Sequence, residues 1–293
     1  MVRRAAIILA VEMPMRARQI LKAIMPPLLW NVGRDFKRRL LHSVDHFAYA
    51  PEGWSTRLPA GATSQDYWDS IIARERPLSE ALIARLQSRP PMLLTLDQEL
   101  KDLLFGYVLA LTARDKQKVT VLDYGGSLGD YYWLGKALVP GTDLDYHCRE
   151  LPKVAEAGRQ LTPAVTWHTD DACLAQPHDL VMFSGSLQCL AGWQDILRRA
   201  AQSAPGYLLL SDVPTVRGVP TYVATQHSGG TTNLQNLLNH SEIVDTVEGA
   251  GLQLVREFDM GAHPAVVNAP EQPSCVGWLF QRQGVARERG AGG

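Results

Sequence analysis

The chain has 293 residues, of which 46% are hydrophobic and 20% charged, so it is long enough to bury one large core or two small ones. A formal net charge of -1 argues against a basic surface for nucleic acid, and no nucleic-acid partner is expected. The cysteines occur singly, without the spacing of a zinc site, so we expect reduced thiols in a cytoplasmic protein and no metal: Cys148, Cys173, Cys189 and Cys275.

The N-terminal segment from Arg3 to Trp30 mixes basic and apolar residues. Its apolar run Ala5–Val11 is too short to span a bilayer, and Glu12 stands where a signal peptide needs small residues for cleavage. No transmembrane segment is therefore predicted. Residues 16–30 have the composition of a helix that packs on protein, which is favoured, or of one that lies on a membrane surface.

The first 114 residues are predicted to form a helical region. Prolines interrupt this part of the chain, and helical spacing of apolar residues recurs at Pro77–Gln87 and at Asp97–Leu111. The second of these segments has the pattern of a complete amphipathic helix.

Residues 115–283 change in character, because short apolar runs alternate with helical patterns. This alternation is typical of a parallel sheet with crossover helices. The predicted strands are 119–123, 144–149, 164–168, 179–184 and 206–211, and the predicted helices between them are 130–139, 152–161 and 193–203.

The end of this region follows a different pattern. The residues from Pro214 to His240 are predicted to form a long mobile loop, followed by a helix capped by Ser241. Two strands, Leu252–Asp259 and Cys275–Gln281, then occur without a helix between them. The sequence thus predicts an α/β fold of five parallel strands plus a terminal antiparallel pair, and a disordered tail at residues 284–293.

The segment Val119–Gly129 reads V-T-V-L-D-Y-G-G-S-L-G, a strand followed by a glycine-rich turn and then a helix. Gly125, Gly126 and Gly129 would let the backbone turn tightly and approach a ligand closely. The helix that follows would direct its unpaired N–H groups at that ligand. A nucleotide-like ligand is therefore predicted here, with Asp123 accepting from an amine or hydroxyl near the turn.

Two enzyme classes compete for this turn on motif grounds. The G-x-G-x-x-G spacing of a nicotinamide dinucleotide site is absent. A serine hydrolase remains open, because Gly125–Gly129 satisfies G-x-S-x-G with Ser127 as nucleophile, and Asp212 with His240 or His263 would complete a triad. Against it, a hydrolase nucleophile strand normally follows several other strands, whereas the preceding 118 residues look helical.

The D-x-G-x-x-x-G arrangement at Asp123, Gly125 and Gly129 resembles the first motif of the Rossmann-like class I S-adenosylmethionine-dependent methyltransferases. This resemblance implies that Glu150, after the second strand, accepts from the ribose hydroxyls. Of Asp170 and Asp171, the second is favoured as the contact of the adenine amine. The cofactor-binding residues that it implies are Asp123, Gly125, Gly126, Gly129, Glu150, Asp171 and Ser184.

A narrower resemblance joins residues 45–282 to a family of methyltransferases known mostly from bacterial genomes, whose acceptors are undefined. The matching segments are Y-A-P-E-G-W from Tyr49, D-Y-G-G-S-L-G from Asp123, E-L-P-K-V-A-E-A-G-R from Glu150, F-S-G-S-L-Q-C-L from Phe183 and Y-L-L-L-S-D-V-P from Tyr207. The chain departs from the family at Ser127, where glycine is more usual. A serine fits there if its φ angle stays negative.

The reaction that we favour from the sequence is methyl transfer to a small-molecule or glycan-like acceptor, with region 1–114 as a lid or acceptor wall. An oxygen acceptor would benefit from a general base. His227, in the predicted mobile loop, and Asp212, at the end of the fifth strand, are the candidates, although a surface histidine and a turn-capping aspartate are the simpler interpretations. A non-catalytic scaffold that kept the fold is the remaining alternative.

Overall fold

The computed structural model of the chain describes residues 46–54, 64–87, 100–228 and 231–282. The segment Arg3–Trp30 and the tail 284–293 lie outside these residues, so the hypotheses about them stay predictions. The described residues from His46 onward belong to one compact unit. None of the helices in these ranges is both long and apolar enough to cross a bilayer.

The described residues form eleven strands and six α-helices, numbered here in chain order. The strands are β1 (His46–Tyr49), β2 (Lys118–Tyr124), β3 (Asp143–Arg149), β4 (Thr166–His168), β5 (Leu180–Ser184), β6 (Tyr207–Val216), β7 (Tyr222–Ser228), β8 (Thr231–Asn239), β9 (Leu252–Asp259), β10 (Val266–Val267) and β11 (Ser274–Arg282). The helices are α1 (Ser64–Gln87), α2 (Leu100–Ala113), α3 (Asp130–Leu138), α4 (Pro152–Leu161), α5 (Trp193–Ser203) and α6 (His240–Glu248). Two short 3₁₀ turns lie at Asp171–Ala175 and Leu187–Cys189.

The main sheet has the strand order β4-β3-β2-β5-β6-β11-β9. Strands β2 to β6 are parallel, and β11 is antiparallel to both β6 and β9. The predicted Rossmann-like α/β fold, with its reversed final pair, is confirmed, although the complete sheet has more strands than predicted. The chain moves from β2 outward to β3 and β4, then returns to β5 on the other side, so β2 and β5 flank the topological switch point where open α/β sheets bind ligands.

Both faces of the central strands β2, β5, β6 and β11 are covered, which explains their nearly continuous apolar runs. One face packs against α5 and α6, with Phe183 and Trp278 among its fully buried side chains. The opposite face packs against α2 and α3, through Phe105, Val121 and Tyr146. This double cover fixes the carboxyl ends of β2, β3 and β5 at one edge of the sheet.

The sheet continues from β6 into further strands of mixed direction, and this extension corrects two predictions. Strand β6 continues beyond Asp212 to pair with β8, and β8 pairs with β7 in a hairpin to which β1 and β10 add. The segment Pro214–His240 is therefore a strand hairpin rather than the predicted loop. Strand β1 likewise lies within the region predicted to be helical. We call β10-β1-β7-β8 the arm sheet.

Two helix boundaries also differ from prediction. The side chain of Asn239 caps α6 by accepting from the backbone N–H groups of Ser241 and Glu242, so the cap lies two residues before Ser241. Helix α1 begins at Ser64 and contains Pro77 inside it, whereas the pattern predicted a helix only from that proline onward.

Candidate functional site

The turn after β2 is fastened to the turn after β5. Gly125 has φ +80°, and a Cβ placed on it would lie 2.9 Å from the hydroxyl oxygen of Ser186. That hydroxyl donates to the carbonyl of Tyr124. Glycine is required at position 125 for both reasons, its left-handed backbone and the closeness of Ser186. The turn after β2 and the turn after β5 are therefore held together at the switch point.

Ser127 adopts φ +53°, so the expectation of a negative φ is wrong. Its backbone N–H donates to Oε1 of Glu150 at 3.0 Å, which holds the turn in the left-handed conformation. The second carboxylate oxygen of Glu150 accepts from the N–H of Leu151 at 2.8 Å. This carboxylate thus joins the glycine turn to the carboxyl end of β3.

The left-handed backbone at Ser127 makes a testable prediction. Glycine adopts this conformation without the Cβ penalty of about 1 kcal/mol, so Ser127→Gly is expected to leave the free energy of unfolding unchanged or to raise it by up to about 1 kcal/mol. Ser127→Val is expected to lower it by about 1–3 kcal/mol. Urea denaturation of the three proteins measures the difference. Destabilisation by glycine greater than by valine would contradict the argument.

Asp123 lies beneath the turn and is wholly buried. Tyr146 donates its hydroxyl to Oδ2 at 2.9 Å, whereas Oδ1 has no hydrogen-bond partner among the described residues. Burial raises the pKa of this carboxyl to about 7, with the charges of Glu150 and Asp130 adding to the rise and the Tyr146 bond opposing it. Asp123 supports the turn from below in this arrangement, and its contact with a cofactor stays a prediction.

Asp130 begins α3 directly after Gly129, whose φ of +85° ends the turn. Gly129 provides no side-chain cap, so the first-turn N–H groups of α3 face the turn without one. Ser79 of α1 donates to Oδ2 of Asp130 at 2.9 Å, while the buried Oδ1 has no partner in the described part of the chain. Burial raises the pKa of Asp130, as it raises that of Glu150, which is 7% exposed.

Asp170 and Asp171 follow β4 and have different partners. Asp170 accepts from the N–H of Ala172 and so caps the 3₁₀ turn. Oδ1 of Asp171 accepts from the Tyr124 hydroxyl at 2.6 Å and from Nε of Arg149 at 2.9 Å. The Arg149 guanidinium also lies over the Tyr124 ring, 4.8 Å from its centroid. Asp171 is therefore held in place, and its predicted adenine contact remains untested.

Ser184 ends β5 in a chain of hydroxyl groups. Its oxygen lies 3.0 Å from the Tyr131 hydroxyl of α3, and Ser211 of β6 donates to it at 3.1 Å. This places Ser184 at the switch-point edge, between the first turn of α3 and the end of β6. Its predicted role beside the methyl group stays a prediction.

Asp212 lies where β6 passes from the main sheet into the arm sheet. It has φ +58°, a left-handed conformation unusual for a residue other than glycine. A Cβ placed on Gly185 would lie 3.8 Å from its Oδ2, so the carboxylate stands over the end of β5. Burial raises the pKa of the neighbouring Cys275 thiol to about 12, with the charge of Asp212 and a hydrogen bond to it adding to the rise.

His227 lies on β7 and not in a mobile loop, which corrects its predicted setting. Its side chain is exposed, and Nδ1 is 3.0 Å from the Thr232 hydroxyl. Directly opposed residues share a sheet face, so His227 lies on the same arm-sheet face as Val223 and its partner Asn236. Four residues separate it from Val223, about 13 Å along the strand. Its role as a base stays a prediction.

The geometry does not assemble the alternative hydrolase triad. Nε2 of His240 lies 2.7 Å from Glu257, and Trp278 donates to the same nitrogen at 3.5 Å. Within the described ranges, no hydrogen bond joins Ser127 to a histidine. Nor do those ranges contain a group of three His, Cys, Asp or Glu side chains able to hold a metal ion.

Sequence reasoning missed Tyr131 and Asp130, two polar residues of this edge. Tyr131 and Asp130 follow the glycine turn directly. Their position in the first turn of a helix after a glycine-rich turn is the sequence signal that could have identified them. Gln188 lies in the quoted S-G-S-L-Q-C-L segment, where glutamine inside an otherwise small and apolar run marks a buried polar group.

No protein-family model and no curated protein matches the chain. Solved structures of methyltransferases are similar to it. CcbJ from Streptomyces caelestis is 16% identical, with 61% of this chain and 88% of that chain covered and a TM-score of 0.41. An amino pentose methyltransferase of calicheamicin biosynthesis from Micromonospora echinaspora, with S-adenosylmethionine bound, is 16% identical over 62% and 90%, with a TM-score of 0.40. A magnesium protoporphyrin IX methyltransferase from Synechocystis PCC 6803, with S-adenosylhomocysteine bound, is 15% identical over 73% and 99%, with a TM-score of 0.41.

Proposed function

We propose that this protein transfers a methyl group from S-adenosylmethionine to a small-molecule or glycan-like acceptor. One observation carries the proposal: the glycine turn at the switch point of the sheet is bonded through the Ser127 N–H to Glu150 at the end of β3. Open α/β sheets bind nucleotide-like ligands at this place. The carboxylate beside the turn is suited to accept from vicinal hydroxyl groups.

The residues present fit a cationic ligand rich in hydrogen-bond donors. Two buried carboxylate oxygens near the turn, Oδ1 of Asp123 and Oδ1 of Asp130, have no partner among the described residues. Each oxygen of Glu150 accepts one backbone N–H and retains a second lone pair. Buried acceptors without partners are costly, so a ligand that brings ammonium and hydroxyl groups would be stabilised here.

Each element of the edge would have a separate task. Gly125 would let the cofactor approach the backbone, and Glu150 would orient its ribose. S-adenosylmethionine supplies, when bound, a methyl group on a positively charged sulfur. Asp212 would accept the proton that the acceptor releases, and the arm sheet would cover the acceptor and exclude water.

Glu150→Gln tests the cofactor site. We expect the wild type to bind S-adenosylmethionine and S-adenosylhomocysteine in the micromolar range, and the variant to lose about 1.5–3 kcal/mol, or roughly 10- to 150-fold in affinity, because a charged hydrogen bond to the ribose is lost. Isothermal titration calorimetry measures both ligands on both proteins.

Glu156→Gln on the exposed face of α4 is the matched control, since within the described part of the chain Glu156 pairs only with Arg159, one turn away. It is expected to bind both ligands as the wild type does. Absence of binding to the wild type would overturn the proposal, and equal binding by Glu150→Gln would remove Glu150 from the site. Binding without methyl transfer to any acceptor would favour the non-catalytic scaffold.

A further inference from the structure

Gln188 is a buried polar residue beside the site that none of the proposed steps uses. It lies in the 3₁₀ turn directly after β5, and its side chain is 7% exposed. Its Nε2 donates to the carbonyl of Gly185 at 2.9 Å. Its Oε1 is buried and has no hydrogen-bond partner among the described residues.

The orientation of this amide follows from its partner. A carbonyl oxygen can only accept, so the atom of Gln188 that faces Gly185 must be the nitrogen. The opposite orientation would set two oxygens against each other. Oε1 is consequently fixed as an acceptor that points away from Gly185. A buried amide oxygen left unpaired costs about 1–3 kcal/mol, which a ligand donor would recover.

The backbone of Gln188 is held as firmly as its side chain. Asn236 of the arm sheet donates from Nδ2 to the carbonyl of Gln188 at 3.2 Å and to that of Leu190 at 2.8 Å. These two hydrogen bonds therefore hold the turn after β5 against the arm sheet. A residue held at both its main chain and its side chain is preorganised to recognise a ligand rather than to adapt to it.

Asp212 places a carboxylate beside the same glycine that Gln188 contacts. A Cβ on Gly185 would lie 3.8 Å from Oδ2 of Asp212 and 4.0 Å from Nε2 of Gln188, so the two side chains flank this glycine. Gly185 itself has φ +65°. Left-handed backbone angles at both Gly185 and Asp212 thus occur where β5 ends and where β6 passes into the arm sheet, and such angles are frequent at ligand sites.

We propose that Gln188 Oε1 and the Asp212 carboxylate form a subsite that recognises the acceptor through two of its hydrogen-bond donors. The matching class of acceptor is a neutral or cationic molecule with adjacent hydroxyl or amino groups, such as a sugar or an amino sugar. An anionic group in the same position would meet two acceptors and would be repelled by the carboxylate. This inference rests on the proposed methyl transfer, because it assigns the acceptor side of that site.

The test uses the full chain saturated with S-adenosylhomocysteine and two probe compounds, D-glucosamine and D-glucuronate. Saturation-transfer NMR measures binding of each probe to the wild type and to Gln188→Met, which keeps the side-chain volume and removes the acceptor. We expect D-glucosamine to bind the wild type, to bind Gln188→Met at least about tenfold more weakly, and D-glucuronate to bind neither. Gln235→Met is the matched control, since Gln235 is a buried glutamine of β8 that donates to Gln226.

The outcomes separate this inference from the proposed function. Calorimetry with S-adenosylhomocysteine is run on every variant and should give the same affinity within about twofold, because the hydrogen bonds of Gln188 in the described part of the chain are to Gly185 and Asn236 and not to the glycine turn. Equal binding of D-glucosamine to the wild type and Gln188→Met, no binding of it to the wild type, or preferred binding of D-glucuronate overturns the subsite and leaves the cofactor site standing. Failure of the wild type to bind S-adenosylhomocysteine overturns the proposed function instead. A Gln188→Met protein with a changed circular dichroism spectrum is replaced by Gln188→Leu, to which the same outcomes apply.

Discussion

The Gly126→Ala variant is expected to lose about 1–3 kcal/mol of unfolding free energy and about tenfold or more of its affinity for S-adenosylmethionine. An added Cβ would lie 2.8 Å from the sulfur of Cys148 and even closer to the Asp123 carboxylate. Both neighbours are buried side chains in the packed core beneath the turn, so they have little room to move. The methyl group would therefore push the turn outward, into the space proposed for the cofactor.

Gly192→Ala is the control for this steric argument. A Cβ on Gly192 meets no atom within 4 Å, and the residue has an ordinary φ of -103°. Its alanine variant is expected to match the wild type within about 0.5 kcal/mol. Urea denaturation and calorimetric titration of the two variants decide the matter. A Gly126→Ala protein as stable as Gly192→Ala, with undiminished affinity, would show that the turn accommodates the added methyl group without cost, and would contradict the argument.

The second large effect concerns the pH dependence of stability, in which two buried groups oppose each other. Burial raises the pKa of Asp123 from its usual 3.8 to about 7. Between these values the folded protein binds one proton more than the unfolded chain, so this group stabilises the fold as the pH falls, by up to about 4 kcal/mol. Its contribution is lost as the pH rises toward 7.

His178 acts in the opposite direction. It is 1% exposed, and burial, together with the nearby charge of His147, lowers its pKa from 6.5 to about 4. Between these values the unfolded chain binds the extra proton, so the stability due to His178 falls as the pH drops through this range, by up to about 3 kcal/mol. In the wild type the two slopes cancel between about pH 4 and pH 6.5.

Substitution of either residue alone is expected to show the pH dependence of the unfolding free energy that the two groups cancel in the wild type. In Asp123→Asn the effect of His178 is no longer opposed by Asp123, so the unfolding free energy is expected to fall by about 1.4 kcal/mol per pH unit more steeply than in the wild type on acidification. In His178→Gln it is expected to rise by a similar amount. Urea denaturation at several pH values between about 4.5 and 6.5 measures the slopes. Asp195→Asn, at an exposed ion pair on α5, is the control, and parallel curves for all four proteins would refute the pKa assignments.

The centre of the main sheet could be predicted from the sequence because its strands are buried on both faces. Continuous apolar runs predicted β2 at 119–123 and β5 at 179–184, and the structure has them at Lys118–Tyr124 and Leu180–Ser184. The final pair was also predicted, because two apolar runs lacked a helix between them. In each case the local pattern and the global fold agree.

The arm sheet could not be predicted in the same way, because its strands contain both polar and apolar residues. Gln226, Gln235 and Asn236 are buried in β7 and β8, and they read as loop residues until their partners are known. The Gly229-Gly230 pair between the two strands was the available hairpin signal. Strand β1 has only four residues, too few to show a period, and it forms only because β7 and β10 pair with it.

The candidate site likewise has features that the sequence predicted and features that it did not. Glycine spacing predicted the turn, and the position of Glu150 at a strand end predicted its place beside that turn. The left-handed φ of Ser127 could not be predicted, because it depends on a hydrogen bond across 23 residues to Glu150. The burial of Asp123 also escaped prediction, since the motif gives its place in the sequence but not that its side chain turns into the core.

The β7–β8 hairpin of the arm sheet has its two ends side by side, since Val216 at the end of β6 is paired with Asn239 at the end of β8. The chain thus enters and leaves this hairpin at points about one strand spacing apart, roughly 4.8 Å. A segment whose two ends lie close together can be replaced by a segment of different sequence, because the new segment can join the chain at the same two positions. The register with β1 must be kept in such a replacement. Under the proposed function, in which the arm sheet covers the acceptor, we expect directed evolution of residues 217–238 to change the acceptor preference without altering the residues of the glycine turn.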